Sequence, residues 1–390
     1  MREWIVTNGI GGYSSLTNQN INTRKYHGLL VSSLNPPTER WVFVSNIYDK
    51  LIIGNKNYRL RDFKPIFNFD YIPNFIYDIS GVKIKKSVLM QHGKNTTIIK
   101  YQIKTDKKVN IIHQPVLNSR HIYDVTDHRY HVFELDVQKN NIKIKPSNKD
   151  QKITIGLKNF NFKSEYLWDT LYYELDHKRN DSWIDNNFRI GNFSNKVTKS
   201  KTYYMVLTTE NNKINPKQVF SDEIERKKDI IKKTDLDKKY KKLILSSDNF
   251  IVKKGLYKSI IAGYHWFGDW GRDTLIALPG LTLVTNRYAD AKKILLSFAK
   301  NCKNGLIPNA FMERDSKAVY NTVDASLWYI DRVFQYLKYT NDKSFVKNVW
   351  DVLNSIISSY RDGTDFDIKM DSDFLISHGP GLTWMDVKIN

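Results

Sequence analysis

Gly263-Tyr264-His265-Trp266-Phe267-Gly268-Asp269-Trp270-Gly271-Arg272-Asp273-Thr274 is the stretch on which the reading of this chain turns. It sets aromatic rings, an arginine and two carboxylates among three glycines. After it the apolar residues fall at helical spacing: Leu275, Ile276, Leu278, Leu281 and Leu283. Glycines let a backbone turn sharply, so neighbouring side chains can converge on one point. Rings beside fixed charges suit a polar ligand with apolar faces, such as a sugar. The same residues would also build a buried aromatic loop with one structural Arg–Asp pair.

Upstream of this stretch the period is two. Ile99, Tyr101 and Ile103 alternate with Lys100, Gln102 and Lys104. Val82 and Ile84, and Ile153, Ile155 and Leu157, repeat the pattern. Alternation between Asn- and Lys-rich turns predicts antiparallel strands with one wet face, hence a β-sandwich. The clusters at 138–141 and 211–215 read as hairpin or loop tips. Asn8-Gly9-Ile10-Gly11-Gly12-Tyr13 resembles a dinucleotide loop only superficially: no adequate strand is expected before it, and no helical pattern follows. The charged run 222–242 reads as a solvated helical linker.

Downstream the period is helical. Tyr288, Ala291, Leu295, Phe298 and Ala299 form one stripe, and Phe345, Val349, Leu353, Ile356 and Tyr360 another, with Asn341 or Ser344 as its cap. Loops rich in Asn, Gly and aromatics separate the helices. The domains expected are therefore 1–220 (β-sandwich), 221–245 (charged helical linker) and 246–390 (helical).

Composition narrows the function classes. A hydrophobic content of 41% argues against disorder, and no apolar run is long enough to span a membrane. The start lacks an apolar signal core, and Cys302 is the single cysteine, so no intrachain disulfide forms and a cytoplasmic protein is expected. The formal charge of +20 raises nucleic acid as a partner, but the lysines are scattered and form no designed patch, so nucleic-acid binding is not expected. His128 and His131 belong to no metal pattern, and neither a metal nor another cofactor is expected.

In order along the chain stand Asn22-Thr23-Arg24-Lys25-Tyr26-His27-Gly28-Leu29-Leu30, Trp266-Phe267-Gly268-Asp269-Trp270-Gly271-Arg272-Asp273-Thr274, Gly305-Leu306-Ile307-Pro308-Asn309, Tyr320-Asn321-Thr322-Val323-Asp324-Ala325 and Leu382-Thr383-Trp384-Met385-Asp386. With the glycine cluster at 8–13, these blocks resemble the glycogen debranching enzyme (amylo-α-1,6-glucosidase) family. The resemblance covers both ends of the chain; the middle, about 55–250, fits by pattern only.

The resemblance implies a β-sandwich followed by an (α/α)6 barrel, here truncated after about five helices. It implies inverting hydrolysis of α-1,6-linked glucose at branch points of an α-glucan such as glycogen or limit dextrin. Inversion needs two carboxyl groups roughly 6.5–9.5 Å apart, with a water between them. Asp386 matches the family's general acid, and Trp384 would desolvate it and raise its pKa. Arg272 and Asp273 would grip the terminal glucose, Trp266 and Trp270 would stack on it, and Asn309, Asn321 and Asp324 would line the rim. The catalytic base is expected beyond this chain, so a second polypeptide would complete the barrel. Alternatives are a glucoamylase-like exo-α-1,4-glucosidase and a catalytically silent glucan-binding fragment. Arg24 and His27 are expected to pack against the barrel or the interdomain seam, with no mechanism assigned to them.

Overall fold

The computed structural model describes residues 2–385. The chain forms two compact units, Met1–Leu34 with Arg40–Lys228, and Asn35–Glu39 with Asp229–Asn390.

The first unit is built from two eight-stranded antiparallel sheets. One runs in the order Glu3–Thr7, Tyr13–Thr17, Gly28–Asn35, Thr38–Ile53, Val109–His121, Ile184–Val197, Asn161–Tyr172, with Lys56–Arg59 paired to the long strand Thr38–Ile53. The other runs Phe133–Gln138, Asn141–Pro146, Ile153–Leu157, Lys201–Thr208, Thr96–Lys104, Val82–Met90, Pro73–Ile79, Ile66–Phe69. Their inner faces share one apolar core, in which Phe43, Ile47 and Leu51 of the first sheet meet Tyr77, Ile84 and Ile99 of the second. The alternation seen in sequence is the alternation of burial: Ile99, Tyr101 and Ile103 are inside and Lys104 is outside.

Three expectations change here. A strand of five residues, Glu3–Thr7, does precede the glycine cluster, but an antiparallel strand follows it instead of a helix, so the cluster is a β-turn device. Gln138 and Asn141 do close a hairpin, whereas 211–215 leads out of the last strand into a helix. The run 222–242 is largely helical, and the boundary between the two units falls inside it at 228/229, but its first part is packed and not wholly solvated. The short helix α1 (Glu174–His177) lies earlier in the chain, and α2 (Pro216–Lys232) spans the first part of the run. Val219, Phe220 and Ile224 of α2 pack on Ile72, Leu89 and Ile98 of the second sheet, and Lys227 donates to the Tyr71 carbonyl at 3.1 Å. The apolar face of α2 is short and broken by charge, which is why the sequence hid it.

A polar cluster pins the two sheets together. Asp49, fully inside the first sheet's inner face, accepts from Lys86 Nζ at 2.8 Å and Tyr101 Oη at 2.9 Å, both on the second sheet. His113 Nδ1 lies 2.7 Å from the same carboxylate, and its Nε2 lies 2.9 Å from Tyr203 Oη. Burial alone would push the Asp49 carboxyl up; Lys86 and then the His113 bond outweigh it and hold it down at about 2.

The second unit is helical: α3 (Lys241–Phe250), α4 (Gly271–Leu278), α5 (Tyr288–Lys300), α6 (Asp324–Thr340) and α7 (Lys343–Asp362). α4 runs on through one wide turn, Pro279–Leu283. Both sequence stripes face the shared core, with Leu295, Phe298, Phe345, Val349, Leu353 and Ile356 buried. The cap of α7 is neither Asn341 nor Ser344. Asp342 Oδ1 accepts from the Phe345 N–H at 3.0 Å, while Asn341 closes α6 in the left-handed conformation at φ 52°. Leu327 and Phe334 on α6, and Trp350 and Ile357 on α7, are exposed at seven-residue spacing, so each helix also carries an outward apolar stripe.

Asp49→Ala leaves the Lys86 ammonium buried without its partner and is expected to cost about 3–5 kcal/mol in chemical denaturation. The depressed Asp49 pKa stabilises the fold above its unfolded value, near 3.8, and that contribution is lost as pH falls toward about 2. Denaturation midpoints of parent and variant should therefore converge across that window; a constant gap down to pH 2 would contradict this assignment.

Candidate functional site

The site begins where a strand stops. Asp269 and Trp270 pair with Phe311 and Ala310, and Trp270 is still extended at φ −111°, ψ 127°. Gly271 then opens α4, and its N–H donates to the Asn309 carbonyl at 2.7 Å. The backbone there runs so close to the next loop that a Cβ on Gly271 would sit 2.0 Å from the Pro308 carbonyl oxygen. Glycine is required at this position by the close approach.

The tight entry turns Arg272 inward, leaving it 8% exposed. Its Nε donates to Asp324 Oδ2 at 2.6 Å, and its Nη2 to Thr322 Oγ1 at 3.3 Å. Thr322 Oγ1 in turn donates to Asp324 Oδ1 at 2.7 Å. Asp324 is the first residue of α6, where unpaired N–H groups favour a carboxylate. Arg272 therefore pairs with Asp324 and not with Asp273. Arg272 is buried toward α6 whereas Asp273 is exposed, so the two neighbours face different surroundings. Asp273 is exposed in the first turn of α4, where its charge suits the helix dipole.

Asn309 and Asn321 are brought together, with Nδ2 of the first 3.4 Å from Oδ1 of the second. Asn309 is buried, and its side-chain oxygen lacks a hydrogen-bond partner among the described residues. An orphan acceptor of this kind is costly unless a ligand or water supplies a donor. Trp270 is half-buried and meets Phe267 edge-on, with ring centroids 5.9 Å apart; Trp266 is also half-buried. Trp384 is 73% exposed. Asp386 lies outside the described residues. The segment leading toward it is anchored, because the Leu382 carbonyl accepts from the Val323 N–H at 2.8 Å, directly before Asp324.

Sequence reasoning missed two parts. Thr322 received no role, although a threonine two residues before an acid is an ordinary local hydrogen-bonding arrangement. Asp269 is wholly buried and accepts from Ser259 Oγ at 2.5 Å and Lys254 Nζ at 2.7 Å. It braces the strand entering α4, and its partners lie too far off in sequence to be paired by inspection. Arg24 packs within the first unit, with Nε 2.6 Å from Glu3 Oε1, and His27 is fully buried beside the same glutamate. Among the described residues no cluster of His, Cys, Asp or Glu is placed to hold a metal ion, and no helix is long and apolar enough to cross a membrane.

With this geometry in view, two family models match the chain. "Glycogen debranching enzyme N terminal" matches residues 2–204, and "Amylo-alpha-1,6-glucosidase" matches residues 245–390. The chain belongs to the glycogen debranching enzyme family. The glycogen debranching enzyme of Saccharomyces cerevisiae is 41% identical over 68 residues, 17% of this chain and 4% of the yeast enzyme. Among solved structures, a protein described as a kojibiose phosphorylase from the human microbiome matches with a TM-score of 0.48 at 13% identity, covering 95% of this chain and 57% of that one. A bacterial glucoamylase complexed with acarbose matches with a TM-score of 0.44 at 14% identity, over 90% of this chain and 56% of the other. The chain thus spans little more than half the length of those structures, and far less of the yeast enzyme.

In this debranching-family chain the Arg272 side chain is held from two sides, yet Nη1 has no partner among the described residues. One edge of the guanidinium is structural, and both N–H groups of Nη1 remain for a ligand. Asp324→Ala removes the anchor and leaves a buried guanidinium half-satisfied, at an expected cost of about 1–3 kcal/mol. Urea denaturation of the variant checks this; stability equal to the parent's would show that Arg272 does not depend on Asp324.

Proposed function

We propose that this chain holds the terminal glucose of a branched α-glucan in a glycoside hydrolase that cleaves the α-1,6 branch linkage with inversion. The carrying observation is the Arg272–Thr322–Asp324 cluster, which leaves a guanidinium donor and a carboxylate with spare lone pairs beside the buried, unsatisfied Asn309 amide oxygen. A sugar ring offers vicinal hydroxyls that both donate and accept, which is what such a set can satisfy. The family membership of the segment containing all of these residues supports the same reading.

In this reading Asp386 is the general acid that protonates the leaving oxygen. Support comes from the Val323–Leu382 bond, which ties the segment before Asp386 to the start of α6, next to Asp324. Trp266 and Trp270 are the candidate stacking surfaces, with Asn321 at the rim. Asp273, exposed in the first turn of α4, is a further carboxylate offered to the glucose. The helical unit is read as part of an (α/α)6 barrel. The outward stripes Leu327/Phe334 and Trp350/Ile357 support this, since further hairpins from the same or a second polypeptide would cover them.

Calorimetric titration of the chain with branched limit dextrin, followed by assay of glucose release, tests the proposal. Binding is expected, and Asp324→Ala should weaken it by a factor of about 10 or more. Asp386→Asn keeps shape but loses the transferable proton, so binding should persist while any hydrolysis by the parent falls about 10²-fold or more. No binding, or binding indifferent to Asp324→Ala, would refute the sugar role. Binding without glucose release identifies a silent glucan-binding protein, and a preference for maltose over isomaltose-type stubs identifies an α-1,4-glucosidase.

A further inference from the structure

The first unit contains a cavity of about 440 Å³, distant in sequence from the glucosidase-type motifs and lined entirely by residues of that unit. Its volume is in the range of small-molecule sites. Two features of its lining are unusual for a gap between strands.

The first is unmet hydrogen-bonding capacity. Three lining residues, Asn20, Gln114 and Arg189, each carry a buried polar atom with no partner: the two amide oxygens and the arginine Nε. The orientation of Gln114 is fixed by its neighbours. Asn192 Nδ2 donates to Glu165 Oε1 at 2.6 Å, so Asn192 Oδ1 must be an acceptor. Gln114 Nε2 donates to that oxygen at 2.5 Å, which leaves Oε1 of Gln114 as the unsatisfied end. Buried carbonyl oxygens of this kind need O–H or N–H donors.

The second is excess positive charge. Lys50, Arg59, Arg61 and Arg189 all line the cavity. Arg59 is paired with Asp62 and Arg189 with Asp169. Arg61 stands over the Tyr48 ring at 5.0 Å, and neither it nor Lys50 has an ion-pair partner among the described residues. Burial, then the nearby Arg189, pulls the Lys50 ammonium down, as expected where cations face one another. Asp49 also lines the cavity, but Lys86, Tyr101 and His113 already occupy its carboxylate.

A bare anion would answer the cations and leave the amide oxygens unmet, whereas a neutral sugar would do the reverse. We propose that this cavity binds a sugar carrying one anionic group, with its hydroxyls donating to Asn20 and Gln114 and its charge held by Lys50 and Arg61. The anionic group is a phosphate or a carboxylate, and the site is independent of the proposed glucan grip.

The test is calorimetric titration of the full 390-residue chain with glucose 6-phosphate, glucuronate, glucose and inorganic phosphate at low ionic strength. At least one of the two anionic sugars should bind with 1:1 stoichiometry, about 10-fold or more tighter than glucose or phosphate alone. Which of them binds identifies the anionic group. The double variant Lys50→Gln/Arg61→Gln changes no ion pair, so it should fold, as a thermal melt would verify, and should lose at least 10-fold in that affinity. Two results would overturn the site: anionic sugars binding no better than phosphate or glucose, or unchanged affinity in the double variant.

Discussion

The helical unit is organised by the contact between Arg272 and Asp324. One residue belongs to the first turn of α4 and the other opens α6, so a single charge-assisted bond of 2.6 Å fixes where two helices begin. Thr322 closes the arrangement from the loop between them, and the Val323 backbone ties in the segment at Leu382. A guanidinium held in this way cannot drift when it meets a ligand, and the ordering cost is met on folding instead of on binding. The glycine at 271 is part of the same constraint. Only a residue without a Cβ lets the strand Asp269–Trp270 pass the Pro308 carbonyl and start the helix that aims Arg272 inward.

The β unit uses polar residues in another way. Its inner faces are largely apolar, yet Asp49, Lys86, Tyr101, His113 and Tyr203 join the two sheets through bonds of 2.7–2.9 Å. Such a cluster is worth little against an apolar core of the same shape, but it tolerates one register only. A slip of one residue would turn Asp49 away from its core partners and leave Lys86 buried alone. Close by, the cavity lined by Asn20, Gln114 and Arg189 lacks this completeness. The same unit therefore holds one saturated polar cluster and one unsaturated one, and it is the unsaturated one that has room for something else.

Legibility from the sequence followed periodicity. The strands at 82–90, 96–104 and 153–157 and the stripes of α5 and α7 could be read because alternation and helical spacing are local consequences of burying one face. The family motifs were legible for a related reason, being short and contiguous. The packing of α2 was not, because its apolar face is brief and interrupted by charge. The cap of α7 was displaced by one or two residues, from Asn341 or Ser344 to Asp342, since all three are competent and the left-handed end of α6 claims Asn341.

The sequence by itself determined the order of a β unit and a helical unit, the residue types available for gripping a sugar, and the glycines that permit their approach. Only the tertiary structure decided which charges meet. Arg272 and Asp273 are neighbours in the chain, but Arg272 is buried and Asp273 exposed, and the partner of Arg272 is Asp324, which reaches it by way of an intervening helix and hairpin. In the same way Asp269 finds Lys254 and Ser259. Spacing along a chain specifies directions within one element. Pairing between elements depends on how their cores pack, and that information is spread over every residue that packs.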